Sequence, residues 1–181
     1  MLHELAGAID RFMRSSPGMP VLLAYIAAAG VPVTLLHELG HALVGVRRLG
    51  VPVYVSVGSA GRLLSVRLGR LTLTVNPFAH PARPGGFAEL DAGRASARDL
   101  MLFALAGPAA SLLGFALAAW ALSAAPDTGL LHNFLWAATC CGLFGVLNVV
   151  PFVLQERRGG RSLRSDGRLA LDAARAGRSL R

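Results

Sequence analysis

The stretch VTLLHELGHALVGV, at residues 33–46, places two histidines and a glutamate in an otherwise uncharged apolar run. In an α-helix, residues four apart lie on one face, so His37 and His41 can both direct a ring nitrogen at one tetrahedral metal ion, normally zinc. Glu38 follows the first histidine, where it can take a proton from metal-bound water without being a ligand itself. Ionisable groups are costly in hydrocarbon-like surroundings unless they are paired or bind a metal. The stretch therefore predicts a functional metal site within an apolar helix.

The composition indicates a membrane protein. Of the 181 residues, 54% are hydrophobic and 15% are charged, and the mean hydropathy is +0.53, whereas soluble domains are less apolar and more charged. The net charge of +8 would also suit a nucleic-acid partner. The sequence has no basic helix interleaved with base-stacking aromatics and no zinc-finger spacing, which argues against nucleic-acid binding. The basic cytoplasmic flanks of a membrane protein explain the charge better.

Three long apolar runs predict membrane-spanning helices. They cover about residues 19–46, 100–125 and 129–154, and each is long enough to cross about 30 Å of hydrocarbon as a helix. A polar, Arg-rich tail follows at residues 155–181. We therefore predict a single, mainly α, polytopic membrane domain with three core transmembrane helices in a lipid bilayer. The sequence leaves the oligomeric state open.

The region between the first two predicted helices, residues 51–98, has a different pattern. Leucines and valines alternate with polar residues over residues 64–75, and glycines mark the turns. This alternation predicts strands paired as membrane-associated β-hairpins. The following Pro- and Gly-rich stretch, residues 76–86, predicts a loop that contains His80. A solvated histidine is the simpler interpretation of His80, and a mobile group near the metal is the alternative.

The distribution of arginine predicts the orientation in the membrane. Residues 47–99 and the C-terminal tail hold 16 of the 18 basic residues, and the link between the second and third apolar runs holds none. Because cytoplasmic segments carry the excess of positive charge, we predict the N-terminus outside and the hairpins and C-terminus in the cytoplasm. The chain is thus expected to be a multi-pass protein of the cell membrane, with its metal site near the cytoplasmic face.

A catalytic zinc site usually has three protein ligands and one open position, so the two histidines need a third partner. Glu156, Asp166 and Asp172 follow the third apolar run on the expected side of the membrane. Asp166 is favoured because Gly167 after it would let the backbone turn sharply and direct the carboxylate inward. Spacing alone leaves the other two carboxylates open.

Several motifs together resemble a known family. They are His37-Glu38-Leu39-Gly40-His41, Gly107-Pro108, Asn148-Val149-Val150-Pro151 and Asp166-Gly167. In this combination they resemble the site-2 protease family of intramembrane zinc metalloproteases. Gly85-Gly86-Phe87 is similar to the Gly-Gly-aromatic segment that follows that family's membrane-associated β-hairpin. The resemblance covers residues 21–169 and corresponds to a minimal core without PDZ or CBS domains.

One departure from the family pattern lies near the third expected ligand. The family places its Asp-Gly a few residues after Asn-x-x-Pro, whereas here the Arg-rich stretch QERRGGRSLRS intervenes between Leu154 and Asp166. The insertion bears on both the depth and the identity of that ligand.

The resemblance implies a site and an activity. One zinc ion would be bound by His37, His41 and Asp166, with Glu38 as the general base. The implied substrates are transmembrane segments of other membrane proteins, cut by hydrolysis of a peptide bond during regulated intramembrane proteolysis. The substrate-binding residues that the resemblance implies are Asn148, Pro151 and Gly86.

A transmembrane substrate poses a geometric problem, because a helix hides its carbonyl groups in its own hydrogen bonds. The substrate must unwind or extend along an exposed strand edge, which we expect residues 51–75 to supply. One rival function is a zinc-containing membrane module that binds or sequesters a partner without proteolysis and does not need Glu38. Another is a soluble zinc protease, but soluble helices are amphipathic and these runs have almost no polar face.

Overall fold

The computed structural model describes residues 7, 19–58, 63–76, 86–90, 95–126, 129–155 and 163–179. These residues form four helices, a π-helical turn and six strands. In chain order the elements are α1 (Met19–Val44), the π-helical turn (Gly45–Leu49), β1 (Val53–Val57), β2 (Leu64–Leu68), β3 (Leu71–Val75), β4 (Gly86–Leu90), α2 (Ala97–Ala124), α3 (Leu130–Leu147), β5 (Val153–Gln155), β6 (Leu163–Arg164) and α4 (Asp166–Ser179).

Three of these helical segments are long and apolar enough to cross a membrane. They are Pro20–Leu49 with 30 residues, which joins α1 to the π-helical turn, α2 with 28 residues and α3 with 18 residues. Their outward faces are apolar as well, since Leu43, Trp120 and Phe144 are 60%, 72% and 74% exposed. Large exposed apolar surfaces of this kind suit contact with lipid rather than water. The mostly helical architecture with three helices of spanning length is confirmed, while the orientation of the chain in the membrane stays a prediction.

A four-stranded mixed sheet, in the order β2-β3-β1-β4, lies between α1 and α2 in the chain. As predicted, β2 and β3 form an antiparallel hairpin, which turns at Gly69 with a φ of +61°. The prediction of hairpins throughout is wrong for β1, which pairs in parallel with β3 and antiparallel with β4. β1 therefore lies inside the sheet, with a neighbouring strand on each of its edges. Its inner position agrees with its burial, because the side chains of Val53, Val55 and Val57 are at most 2% exposed and pack against α1.

The third helix of spanning length, α3, is shorter than its apolar run. We predicted a helix to about residue 154, but α3 ends at Leu147 and residues 153–155 form β5. Pro151 explains this end, because it lacks an N–H group and disfavours a helical conformation in the residue before it. Between the end of α3 and Pro151 the backbone forms a tighter turn of the 3₁₀ type, in which the N–H of Val150 donates to the carbonyl of Leu147 over 3.0 Å.

The last helix returns to the three long ones. β5 and β6 pair antiparallel, so the chain that leaves the end of α3 comes back beside it. α4 then begins at Asp166 and packs against α2. The pairing of β5 with β6 therefore brings Asp166 back to the long helices, although residues 156–162 separate the two strands in the sequence.

Candidate metal centre

The structure brings His37, His41 and Asp166 together at one point. The two Nε2 atoms are 3.3 Å apart, and Oδ2 of Asp166 lies 2.9 Å from that of His37 and 3.4 Å from that of His41. Two ligands of a tetrahedral zinc ion with bonds of about 2.0–2.1 Å are about 3.3 Å apart. All three residues are buried, with exposed fractions of 7%, 4% and 8%. This group could therefore hold one metal ion, and its donor set fits zinc.

The other ring nitrogens of the two histidines are also engaged. Nδ1 of His41 donates to the carbonyl oxygen of Phe103 over 2.6 Å. Nδ1 of His37 lies 2.8 Å from Oγ of Ser111 and donates to it in the tautomer that leaves Nε2 free as a ligand. Partners of this kind fix the orientation and tautomer of metal-binding histidines. Both partners belong to α2, so that helix directs both Nε2 atoms at Asp166.

Close packing of α1 against α2 depends on Gly107. A Cβ at this position would lie 2.7 Å from Nε2 of His37 and would also clash with the His41 ring. A Cβ at Gly40 on α1 would likewise clash with the backbone of Ala106. The small residues of α2 therefore leave the space that the two imidazole rings occupy.

Asp166 is held from both sides. Nδ2 of Asn148 donates to its Oδ2 over 2.8 Å, and the N–H of Gly167 donates to the carbonyl of Asn148 over 3.0 Å. Oγ of the fully buried Ser165 donates to the carbonyl of Val150 over 2.7 Å and accepts from the N–H of Phe152 over 2.9 Å. These bonds fasten the start of α4 to the end of α3.

The environment of Asp166 keeps its carboxyl group ionised. Burial raises its pKa, but the His37 and His41 rings, whose Nε2 atoms lie 2.9 and 3.4 Å from its Oδ2, outweigh burial, so the pKa lies below its ordinary value. An ionised carboxylate is the form that binds a metal.

Gly167 has a different role from the one the sequence indicated. Its φ is not positive, so no unusual turn requires glycine here. Instead, a Cβ at Gly167 would run into the carbonyl group of Val149. The glycine permits close approach of α4 to the end of α3, which is a packing requirement.

Glu38 lies beside the cluster and lines a cavity of about 340 Å³. Its side chain is buried, and a Cβ at Gly86 in β4 would lie 2.9 Å from its Oε1. The same cavity is lined by His37 and Asn148. Glu38 therefore lies next to the three grouped side chains, at a space large enough for part of an extended peptide.

The remaining expected residues lie elsewhere. Asp172 forms an ion pair with Arg168 at 3.1 Å and does not join the group. Pro151 is exposed and is not among the described residues that line the cavity. Glu156 and His80 lie outside the described residues.

Sequence reasoning missed the two partners on α2. Ser111 is a polar residue one helical turn after Gly107, on the same face of the helix. That spacing was the available signal. No feature of the sequence could identify the carbonyl of Phe103, because every residue has a backbone carbonyl. Only the packing of the helices determines which one contacts His41.

Comparison of the sequence with protein-family models and with curated proteins finds no match.

Proposed function

We propose that this chain is an intramembrane zinc metalloprotease, which hydrolyses peptide bonds in or near transmembrane segments of other membrane proteins. The observation that carries the proposal is the grouping of His37, His41 and Asp166 beside Glu38, at a cavity lined by three helices of spanning length. A metal donor set beside a carboxylate base is the arrangement that hydrolytic metalloenzymes use. The family resemblance of the sequence motifs points to the same activity.

The chemistry divides between the metal and the chain. Zinc, when bound, polarises the scissile carbonyl group and lowers the pKa of a water molecule from about 15.7 to about 7. The Glu38 carboxylate accepts a proton from the attacking water and passes it to the leaving amine nitrogen as the C–N bond breaks. Asn148 and Ser111 act indirectly, by holding the carboxylate of Asp166 and the ring of His37.

The substrate backbone needs an extended partner, and β4 is the strand best placed to be one. β4 is one of the two edge strands of the sheet and pairs on one side with β1. Its first residue, Gly86, lines the cavity beside Glu38. Residues 51–75, from which we expected this edge, do supply an edge strand, β2, on the far side of the sheet, but of the described strands only β4 contributes a residue to the cavity lining. An extended segment added to β4 would present its carbonyls near the metal ligands.

Glu38 also distinguishes the proposal from its non-proteolytic rival. A module that merely holds zinc or sequesters a partner requires the three grouped side chains but no buried carboxylate at the cavity. Burying Glu38 without such a role costs free energy. A soluble zinc protease is opposed by the exposed apolar faces of α1, α2 and α3.

The test uses the full chain reconstituted in lipid vesicles with a model transmembrane substrate that carries helix-breaking residues at mid-span. Wild-type protein should cleave the substrate, and a zinc chelator should stop cleavage. Glu38→Gln should retain one zinc per chain while the cleavage rate falls by at least about 100-fold, the usual contribution of a general base. Asp172→Asn, which removes a carboxylate that pairs with Arg168 and is not among the residues lining the cavity, is the control for loss of a carboxylate. Cleavage by Glu38→Gln at the wild-type rate, or zinc-loaded wild-type protein that cuts no such substrate, would contradict the proposal.

A further inference from the structure

A second cavity lies on a different face of α1 from the metal site. It has a volume of about 500 Å³ and lies between α1, α2 and the β2-β3 hairpin. Its walls are almost entirely hydrocarbon and include Leu36, Leu39, Leu43, Val46, Leu68 and Leu71. Three of the lining leucines, Leu43, Leu68 and Leu113, are more than half exposed. We call this space the α1 groove.

The α1 groove has one charged residue, Arg47, near the end of the membrane-spanning segment Pro20–Leu49. Neighbouring arginines are already engaged: Arg48 donates to Asp99 over 2.8 Å, and Arg70 donates to the carbonyl of Gly50 over 2.5 Å. Arg47 is exposed and, among the residues that the structure describes, has no hydrogen-bond or ion-pair partner. The groove therefore combines an apolar floor with an unneutralised positive charge at the end of a membrane helix.

We propose that the α1 groove binds an anionic phospholipid, with one acyl chain along its leucines and the phosphate on Arg47. The end of a spanning helix lies at the level of lipid headgroups, and basic pockets between membrane helices bind those headgroups. The acyl chain would cover leucines that are otherwise exposed. This proposal depends on the membrane location of the chain but not on proteolysis.

The size of the groove favours a lipid chain over a protein helix. One turn of an α-helix about 10 Å across and 5.4 Å long occupies about 420 Å³. The α1 groove, at about 500 Å³, therefore encloses little more than a single turn of helix. A second copy of this chain, or a substrate helix, would lie mostly outside it. A single flexible acyl chain can enter fully.

The test measures retention of two lipids by the purified full chain. The protein is exchanged into mixed micelles that contain phosphatidylglycerol and phosphatidylcholine with identical acyl chains, and bound lipid is counted by native mass spectrometry. Wild-type protein should retain phosphatidylglycerol preferentially. Arg47→Gln should reduce this preference about fivefold, the contribution of one basic residue near an anionic surface. Arg98→Gln, which removes an exposed arginine near the start of α2 and outside the groove, should leave the preference unchanged.

A second pair of variants tests the apolar part. Leu113→Trp fills part of the groove and should reduce retention of both lipids, whereas Leu112→Trp, at the preceding and similarly exposed position of α2 outside the groove lining, should not. Equal retention of the two lipids by wild-type protein would overturn the proposal, even if a variant failed to fold. So would equal effects of Arg47→Gln and Arg98→Gln. A wild-type dimer that Leu113→Trp converts to monomer would assign the groove to a second copy and would likewise overturn it.

Discussion

Asn148 donates a hydrogen bond to Oδ2 of Asp166 over 2.8 Å, and that oxygen is the one that lies within 3.4 Å of both histidine Nε2 atoms. The two residues are 18 positions apart, on either side of the β5-β6 hairpin. The bond therefore connects the C-terminal end of α3 to the third member of the candidate metal group. The family resemblance implies a substrate contact for Asn148, and the structure adds a contact with the Asp166 carboxylate.

Replacing Asn148 with leucine separates these two roles. Asn148→Leu removes the donor to Asp166 while keeping a similar volume, so zinc affinity should fall by about 10–100-fold, as for other partners of metal ligands. Competition with a fluorescent chelator measures the affinity. Asn133→Leu, near the other end of α3, is the matched control and should bind zinc as the wild type does. Unchanged zinc affinity with lost cleavage would restrict Asn148 to a substrate contact.

The assignment of Asp166 as the third ligand can be tested against Asp172. Asp166→Asn should lose most bound zinc, because a neutral amide is a weaker ligand than the carboxylate and leaves the histidine pair without its anionic partner. Asp172→Asn should keep full occupancy, since Asp172 pairs with Arg168 at 3.1 Å. Zinc content per chain, measured by elemental mass spectrometry after gel filtration, gives the answer. Full occupancy in Asp166→Asn would direct attention to Glu156.

The predictable part of the site is the part that one helix determines. His37, Glu38 and His41 lie within five consecutive residues, so helical periodicity alone groups them. Asp166 is 129 positions from His37, and its assignment came from a favoured Asp-Gly pair and a family resemblance. The orientation of each imidazole depends on the rotation of α2 against α1. No local pattern in the sequence encodes that rotation.

In the fold, too, the features that local sequence determines were predictable, and those that depend on distant contacts were not. Apolar run length correctly indicated three helices of spanning length, and alternation indicated β2 and β3. β4 was not predicted, because Gly86–Leu90 follows a Pro- and Gly-rich stretch and forms its strand through distant pairing with β1. The sequence also gave no sign that β1 pairs in parallel with β3, since register between separated strands is a tertiary property.

Ser111 should contribute to metal binding through His37. Ser111→Ala removes the partner of Nδ1 and leaves that buried nitrogen without a hydrogen bond. We expect zinc affinity to fall by about 10–100-fold with little change in helix content by circular dichroism. Ser123→Ala, in the last turn of α2, is the control, because Ser123 donates only to its own helix at the carbonyl of Trp120. Equal affinities for the two variants would show that Ser111 does not orient the ring.

Cys141 offers a direct test of the cavity as the route to the metal group. It lines the cavity of about 340 Å³ together with His37 and Glu38, whereas its neighbour Cys140 does not. In a Cys140→Ser background, an apolar benzyl thiosulfonate would form a mixed disulfide with Sγ of Cys141 and fill part of this space. Cleavage should then fall to a residual level, while a methyl thiosulfonate, which adds far less volume, should inhibit less.

Cys141→Ser protein should be insensitive to both reagents, and a reducing agent should restore the activity of the labelled protein. Full cleavage by protein that mass spectrometry shows to be completely benzylated would mean that the substrate reaches Glu38 by another path.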